Sequence, residues 1–187
     1  MLEKNHIATG ENKFVVMAAT LSKEWLLIDL ALMRICGISV PFYRTLGPLA
    51  IKQIFDETEA QTLTGLSQDL LKYIKDGVPL SVKNLVCLDK PSEELMSKVE
   101  KYKIIDFTKE MEDESLDEVA IQSLLPDLET VFTLAYTSGT TGDAKGALIR
   151  HKNMVAVFGS MRKHSGLVDH SLRHAVLIFL PLAHILG

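Results

Sequence analysis

Two cysteines in 187 residues, Cys36 and Cys87, are too few for a disulfide framework. Each sits among apolar neighbours, so both are expected as buried free thiols of a reducing, cytosolic compartment. Positive charge is also scarce: 20 Lys and Arg stand against 24 Asp and Glu, a formal net charge of -4. No dense Lys/Arg cluster occurs that would track a phosphate backbone, which argues against a nucleic-acid partner. No apolar run reaches the roughly 20 residues that span a bilayer. The most apolar stretch, Trp25 to Ile38, is broken by Asp29 and Arg34 and is expected as a buried helix, with a peripheral membrane contact left open. The polar N-terminus, Met1 to His6, lacks an apolar signal core and argues against secretion. Internal repeats and low-complexity tracts are missing too.

What remains is a composition of 47% hydrophobic and 24% charged residues, enough for one substantial core. Val-, Ile- and Phe-rich runs alternate with helix-like segments, the pattern of an α/β protein whose mostly parallel sheet is wrapped by helices on both faces. Phe14 to Ala19 reads as a buried strand. Ser22 is a helix N-cap with Glu24 in the first turn, and the helix runs to about Cys36, where Gly37 ends it. Ile38 to Tyr43 is a second strand, which Pro41 puts at an edge or cuts short. Pro48 opens another helix that closes around Asp56 to Glu59. Ala60 to Thr64 is a weak strand, Ser67 to Lys75 a helix, Asp76-Gly77 a turn and Val82 to Leu88 a strand. Lys90 to Glu129 reads as an acidic, solvated connector with some helix; Ile104-Ile105 is its apolar island, and Met111 to Glu118 holds five carboxylates.

The densest chemistry lies in Thr137-Ser138-Gly139-Thr140-Thr141-Gly142-Asp143-Ala144-Lys145-Gly146, preceded by the apolar run Thr133 to Tyr136. Glycines let the backbone approach an anion, hydroxyls and N–H groups donate to phosphate oxygens, and Lys145 adds a compact positive charge. A Walker A loop is excluded, because Ala144 precedes the lysine where that loop needs Gly, and Gly146 follows where it needs Ser or Thr. Ala147 to Arg150 reads as a strand rather than a helix, so the segment is expected as a hairpin-like flap over phosphates.

Thr137 to Gly146 closely resembles the phosphate-binding motif of the adenylate-forming synthetases, with Ala144 where that family usually has Pro. The change loosens the unfolded loop by about 0.4–1 kcal/mol and removes no phosphate donor. Glu24-Trp25, Asp29, Ala31 and Ser39 to Pro48 resemble the corresponding stretch of long-chain acyl-CoA synthetases, except that Arg44 replaces an acid and puts that acid's contacts in doubt. Phe179-Leu180-Pro181-Leu182-Ala183-His184 resembles the family segment bordering the acyl and adenylate pocket.

The resemblance implies ATP-dependent activation of a long-chain fatty acid: its carboxylate attacks the α-phosphorus of ATP, pyrophosphate leaves, and the coenzyme A thiol displaces AMP. ATP, Mg2+ and coenzyme A are the implied cofactors and co-substrates. Lys145, Ser138, Gly139, Thr140, Thr141, Gly142 and Gly146 would hold the phosphates, together with a magnesium ion whose protein ligands stay unassigned. Thr137 would frame the loop, and His184 would pack against substrate or adenylate. By the same resemblance the 187 residues would be part of an AMP-binding domain, an N-terminal piece without the adenine segment or the C-terminal domain. A non-catalytic nucleotide-binding or partner-docking protein is the alternative. The implied setting is cytoplasmic, with peripheral contact on the cytosolic face of an intracellular membrane open. His170 and His174 are four apart, but Ser171 replaces the Glu of a His-Glu-x-x-His zinc site, so they read as surface residues. His151 is expected to help start a helix.

Overall fold

Strand β1 (Phe14–Ala18) is buried from Val15 onward, and the rest of the structure is laid around it. The computed structural model describes residues 13–18, 20–98, 100–112, 125–137 and 145–164. The chain runs from β1 through α1 (Lys23–Arg34), β2 (Ile38–Phe42), α2 (Pro48–Thr58), β3 (Thr62–Gly65), α3 (Ser67–Lys75) and β4 (Asn84–Cys87). It continues through the short α4 (Glu93–Met96), β5 (Lys103–Asp106) and α5 (Phe107–Glu110) to β6 (Val131–Thr137), β7 (Lys145–Arg150) and α6 (His151–His164). The seven described strands form one sheet in the order β5-β4-β3-β1-β2-β6-β7. Every adjacent pair is parallel except β6–β7.

From β1 the chain steps to β2, crosses back over β1 to β3, and then moves outward to β4 and β5, which is the doubly wound pattern. Helices cover both faces. On one, Trp25, Ile28 and Leu32 of α1 pack with Val15, Met17, Val86 and Ile105. On the other, Ile51, Ile54 and Phe55 of α2 and Leu70 of α3 pack with Val16, Val40, Leu63 and Leu85. Both helical stripes recur at three- and four-residue spacing, the period that keeps one helix face on a sheet. Ser22 caps α1 by accepting the Trp25 N–H at 3.2 Å, and Pro48 stands in the first turn of α2, both as the sequence suggests.

Four expectations need correction. Pro41 is not on an edge strand: β2 lies between β1 and β6. Pro41 is the residue before the last of β2 and lies two past the β2–β6 register pair Ser39–Thr133, where its missing N–H interrupts little of that ladder. The residue that turns the chain out of α1 is Cys36, at φ 58°, while Gly37 follows it and donates its N–H to Leu32 O at 2.9 Å. Cys36 is only half-buried, whereas Cys87 is buried, and the two form no disulfide. Part of the acidic connector is sheet: β5 pairs with β4 from Lys103 to Asp106, and Ile105 and Phe107 enter the core. A four-residue strand with charged ends carries too little alternation to stand out from its surroundings.

Arg44, the departure from the acyl-CoA synthetase pattern, has its own partner. Its Nε and Nη2 donate to Asp69 Oδ1 at 3.0 and 2.6 Å, tying the turn after β2 to the first turn of α3. Asp69 also raises the Tyr73 hydroxyl, which burial chiefly pushes up to about 12.

Beneath α1, burial holds the Asp29 carboxyl above the usual carboxylate range, partly offset by a hydrogen bond with Ser39. Ser39 Oγ also donates to Phe132 O at 3.3 Å. A carboxyl raised in this way binds its proton more tightly when folded. Its contribution is complete below the ordinary value of 3.8 and is lost as pH rises through the folded value. Asp29→Asn, which removes the buried titrating group, should raise the thermal midpoint near neutral pH by a few degrees and flatten its dependence on pH above 4. Thermal melts across that range check this, and equal slopes for the two proteins would refute it.

Candidate active site

β6 and β7 form an antiparallel hairpin whose last register pair is Thr137–Lys145. The flap expected from the sequence therefore has its two arms in place. β6 runs parallel to β1 and β2, so the hairpin opens at the carboxyl edge of the parallel strands, the edge where open α/β sheets bind ligands. Thr137 Oγ1 donates to Lys145 O at 3.4 Å and links the two strands at the mouth. Both side chains are exposed, and strand alternation puts them on the α1 side of the sheet with Thr133. Ser138, Gly139, Thr140, Thr141 and Gly142 lie outside the described residues, as do His170, His174 and His184.

Gly146 has a packing reason for its identity. A Cβ there would stand 2.8 Å from Leu134 Cδ1 and 3.4 Å from Tyr136 Cζ. Leu134 is locked in the core on the α2 side, and Tyr136 is the direct register partner of Gly146. A bare glycine thus lets both neighbours of the hairpin mouth lie flat against β7.

One contact was not legible from the loop motif. Tyr136 Oη donates to Glu57 Oε2 at 2.6 Å, and Gln53 Nε2 donates to Glu57 Oε1 at 2.7 Å. The two acidities agree on the direction of the bond. The Tyr136 bond, then the Gln53 bond, hold the Glu57 carboxyl below its ordinary range, while burial and then the Glu57 bond push the Tyr136 hydroxyl up. The only sequence signal was a tyrosine one place before the loop.

His151 begins α6 as expected. Its N–H donates to Thr130 O at 3.0 Å, and its ring stands edge-on to Phe132 at 5.4 Å, a structural setting. Among the described residues no three His, Cys, Asp or Glu are grouped to hold a metal ion.

The family model for AMP-binding enzymes matches residues 1–187, the whole chain. The chain belongs to the AMP-binding enzyme family. Among curated relatives, it is 29% identical over 178 residues to long-chain-fatty-acid–CoA ligase 6 of Homo sapiens, covering 92% of this chain and 26% of that protein. It is 31% identical to fatty acyl-CoA synthetase A of Dictyostelium discoideum, covering 86% of this chain and 24% of the relative. Against the peroxisomal long chain acyl-CoA synthetase 7 of Arabidopsis thaliana, identity is 32%, over 87% of this chain and 23% of the relative. The chain thus spans about a quarter of the length of these relatives. Among solved structures, the adenylation domain of a carboxylate reductase from Mycobacterium chelonae superposes with a TM-score of 0.67 at 20% identity. That match covers 99% of this chain and 30% of the other. The anthranilate CoA ligase AuaEII superposes at 0.61 and 20% identity, over 89% of this chain and 29% of its own. At such identities the likeness is one of fold.

In this member of the AMP-binding enzyme family the run 137–146 therefore has two flanking residues whose identity packing and hydrogen bonding explain, Gly146 and Thr137. Gly146→Val should cost about 1–3 kcal/mol of stability through overpacking against Leu134, with no nucleotide present. An unfolding midpoint equal to that of the parent chain would show that Gly146 serves only the ligand.

Proposed function

We propose that this chain supplies the ATP-phosphate loop of a long-chain fatty acid–CoA ligase. The observation that carries the reading is the hairpin mouth, with Thr137 and Lys145 face to face at the carboxyl edge of a doubly wound sheet and the hydroxyl- and glycine-rich run 138–144 between them. The relatives named as fatty acyl-CoA ligases support the choice of acid.

In the proposed reaction a fatty acid carboxylate oxygen bonds to the α-phosphorus of ATP and the bond to the β-phosphate bridging oxygen breaks, giving acyl-adenylate and pyrophosphate. The thiol of coenzyme A then bonds to the acyl carbon and AMP leaves. This chain's task lies in the first step. Lys145 offsets the charge that builds on the departing pyrophosphate, and the hydroxyls of Ser138, Thr140 and Thr141 and the N–H groups at Gly139 and Gly142 donate to phosphate oxygens. Gly146 and Thr137 hold the loop's ends together, and His184 packs beside the acyl-adenylate. Mg2+ arrives with ATP as its counterion. Two cysteines outside any disulfide suit a cytoplasmic setting. Among the described residues no helix is long and apolar enough to cross a membrane, so contact with the cytosolic face of a membrane would be peripheral.

Lys145→Ala should weaken MgATP binding about tenfold or more, since a charge-assisted contact to phosphate is lost. Titration calorimetry measures this, and unchanged affinity would remove the proposal. MgATP retained without hydroxamate formation from a fatty acid would favour the non-catalytic alternative.

A further inference from the structure

The β6–β7 hairpin reaches beyond its neighbour in the sheet. The β6 ladder to β2 is at Ser39–Thr133, and the four residues from Leu134 to Thr137 continue past it, paired with β7. β7 is the sheet's edge among the described strands and is mostly exposed. The loop is thus carried on the end of a two-stranded ribbon, an arrangement with little stiffness of its own in water.

The ribbon is moored at one residue before its mouth. The Tyr136 ring lies against Gly146, and its hydroxyl bonds to Glu57 in the last turn of α2, 79 residues earlier in the chain. α2 is itself fixed to the sheet by Ile51, Ile54 and Phe55. Gln53, one turn back on α2, holds the second carboxylate oxygen and orients the acceptor. The next register pair after Tyr136–Gly146 is Thr137–Lys145, so any twist of the ribbon at Tyr136 passes directly to the phosphate-facing lysine.

We propose that Tyr136 and Glu57 are positioning residues for the nucleotide: their hydrogen bond ties the ribbon to α2 and presets the direction in which Lys145 meets the phosphates. This deepens the function proposed above and rests on it. Neither group touches ATP. Their effect comes through pre-organisation, because a loop already held in place loses less freedom on binding.

The test is a double-mutant cycle read by MgATP affinity on the full chain, with Lys145→Ala as reference and the unliganded thermal midpoint as a check of folding. Tyr136→Phe and Glu57→Ala should each weaken binding about three- to tenfold, the scale of one hydrogen bond. The double variant should bind no more weakly than Tyr136→Phe alone. Glu57→Gln keeps an acceptor for the tyrosine and should stay near parent affinity, a rescue that loss of folding would not show. Parent affinity in Tyr136→Phe, with Lys145→Ala impaired, would overturn this inference and leave the proposed function standing. Equal losses in Glu57→Gln and Glu57→Ala would overturn it as well, and they decide the matter if Tyr136→Phe does not fold. If the parent chain binds no MgATP, or Lys145→Ala binds as well as the parent, the proposed function falls and this inference with it.

Discussion

The bonding of Ser39 to β6 is the joint on which the β6–β7 hairpin depends. Thr133 Oγ1 donates to Ser39 O at 3.1 Å, Ser39 Oγ donates to Phe132 O at 3.3 Å, and both residues are almost wholly buried. On one side of that joint lies the five-stranded parallel block from β5 to β2; on the other lies the β6–β7 hairpin. Ladder pairing between the two is short, so side-chain hydroxyls supply bonds that a longer ladder would supply from the backbone. Small hydroxyl residues suit the position because each brings both a donor and an acceptor in little volume. An apolar pair there would fill the space and leave β6 less firmly registered on β2.

Holding the hairpin at its root and freeing it toward its tip makes chemical sense. A polyphosphate carries charge on many oxygens, and a loop that meets it must approach closely and yet release the product. Regions that bind and let go are drawn from the less stable parts of a fold. Three constraints narrow the freedom that remains: the Ser39–Thr133 joint at the root, the missing side chain of Gly146, and the Tyr136–Glu57 bond just before the mouth. Each acts through a different element, so the orientation of the hairpin arms is set by the sheet and α2 together.

Much of this was open to a reader of the sequence. The apolar run before Thr137 and the strand-like Ala147 to Arg150 were enough to expect a hairpin, because glycine density and the failed Walker A spacing are local features. Ser22, Pro48 and the helix from Ser67 were legible for the same reason: caps and turns are written within four residues of where they act. What escaped is non-local or against the usual preference. Arg44 and Asp69 are 25 residues apart, and Tyr136 and Glu57 are 79 apart; no spacing rule joins them. Cys36 takes a left-handed turn beside a glycine that seemed the natural occupant. Pro41 lies inside the sheet because the ladder past Ser39 asks little of it. β5 was hidden by its brevity and its charged ends, and only pairing with β4 makes it a strand. Of the loop itself, sequence supplied the donors and the structure supplied only the frame, Thr137, Lys145 and Gly146.

The frame also explains why a lysine is needed here at all. Where a phosphate loop leads directly into a helix, the helix N-terminus offers its own unpaired N–H groups and a positive dipole end. The first long helix after this loop is α6, and β7 separates it from the mouth. Lys145 and Arg150 are the two ends of that strand, about 17 Å apart at the usual rise of an antiparallel strand, so the start of α6 is far beyond the last turn over which a helix dipole acts. His151, Asn153 and Thr130 in any case engage the backbone there: Asn153 Oδ1 accepts the Arg150 N–H at 2.9 Å, and Thr130 O accepts that of His151. A hairpin has only small net dipole, since its strands run in opposite directions. The positive charge that a helix would have offered must therefore come from a side chain, and it must sit at the mouth. Lys145 is the residue in that position, opposite Thr137 and exposed, and under the proposed function its hold on phosphate would depend on how steadily the hairpin presents it.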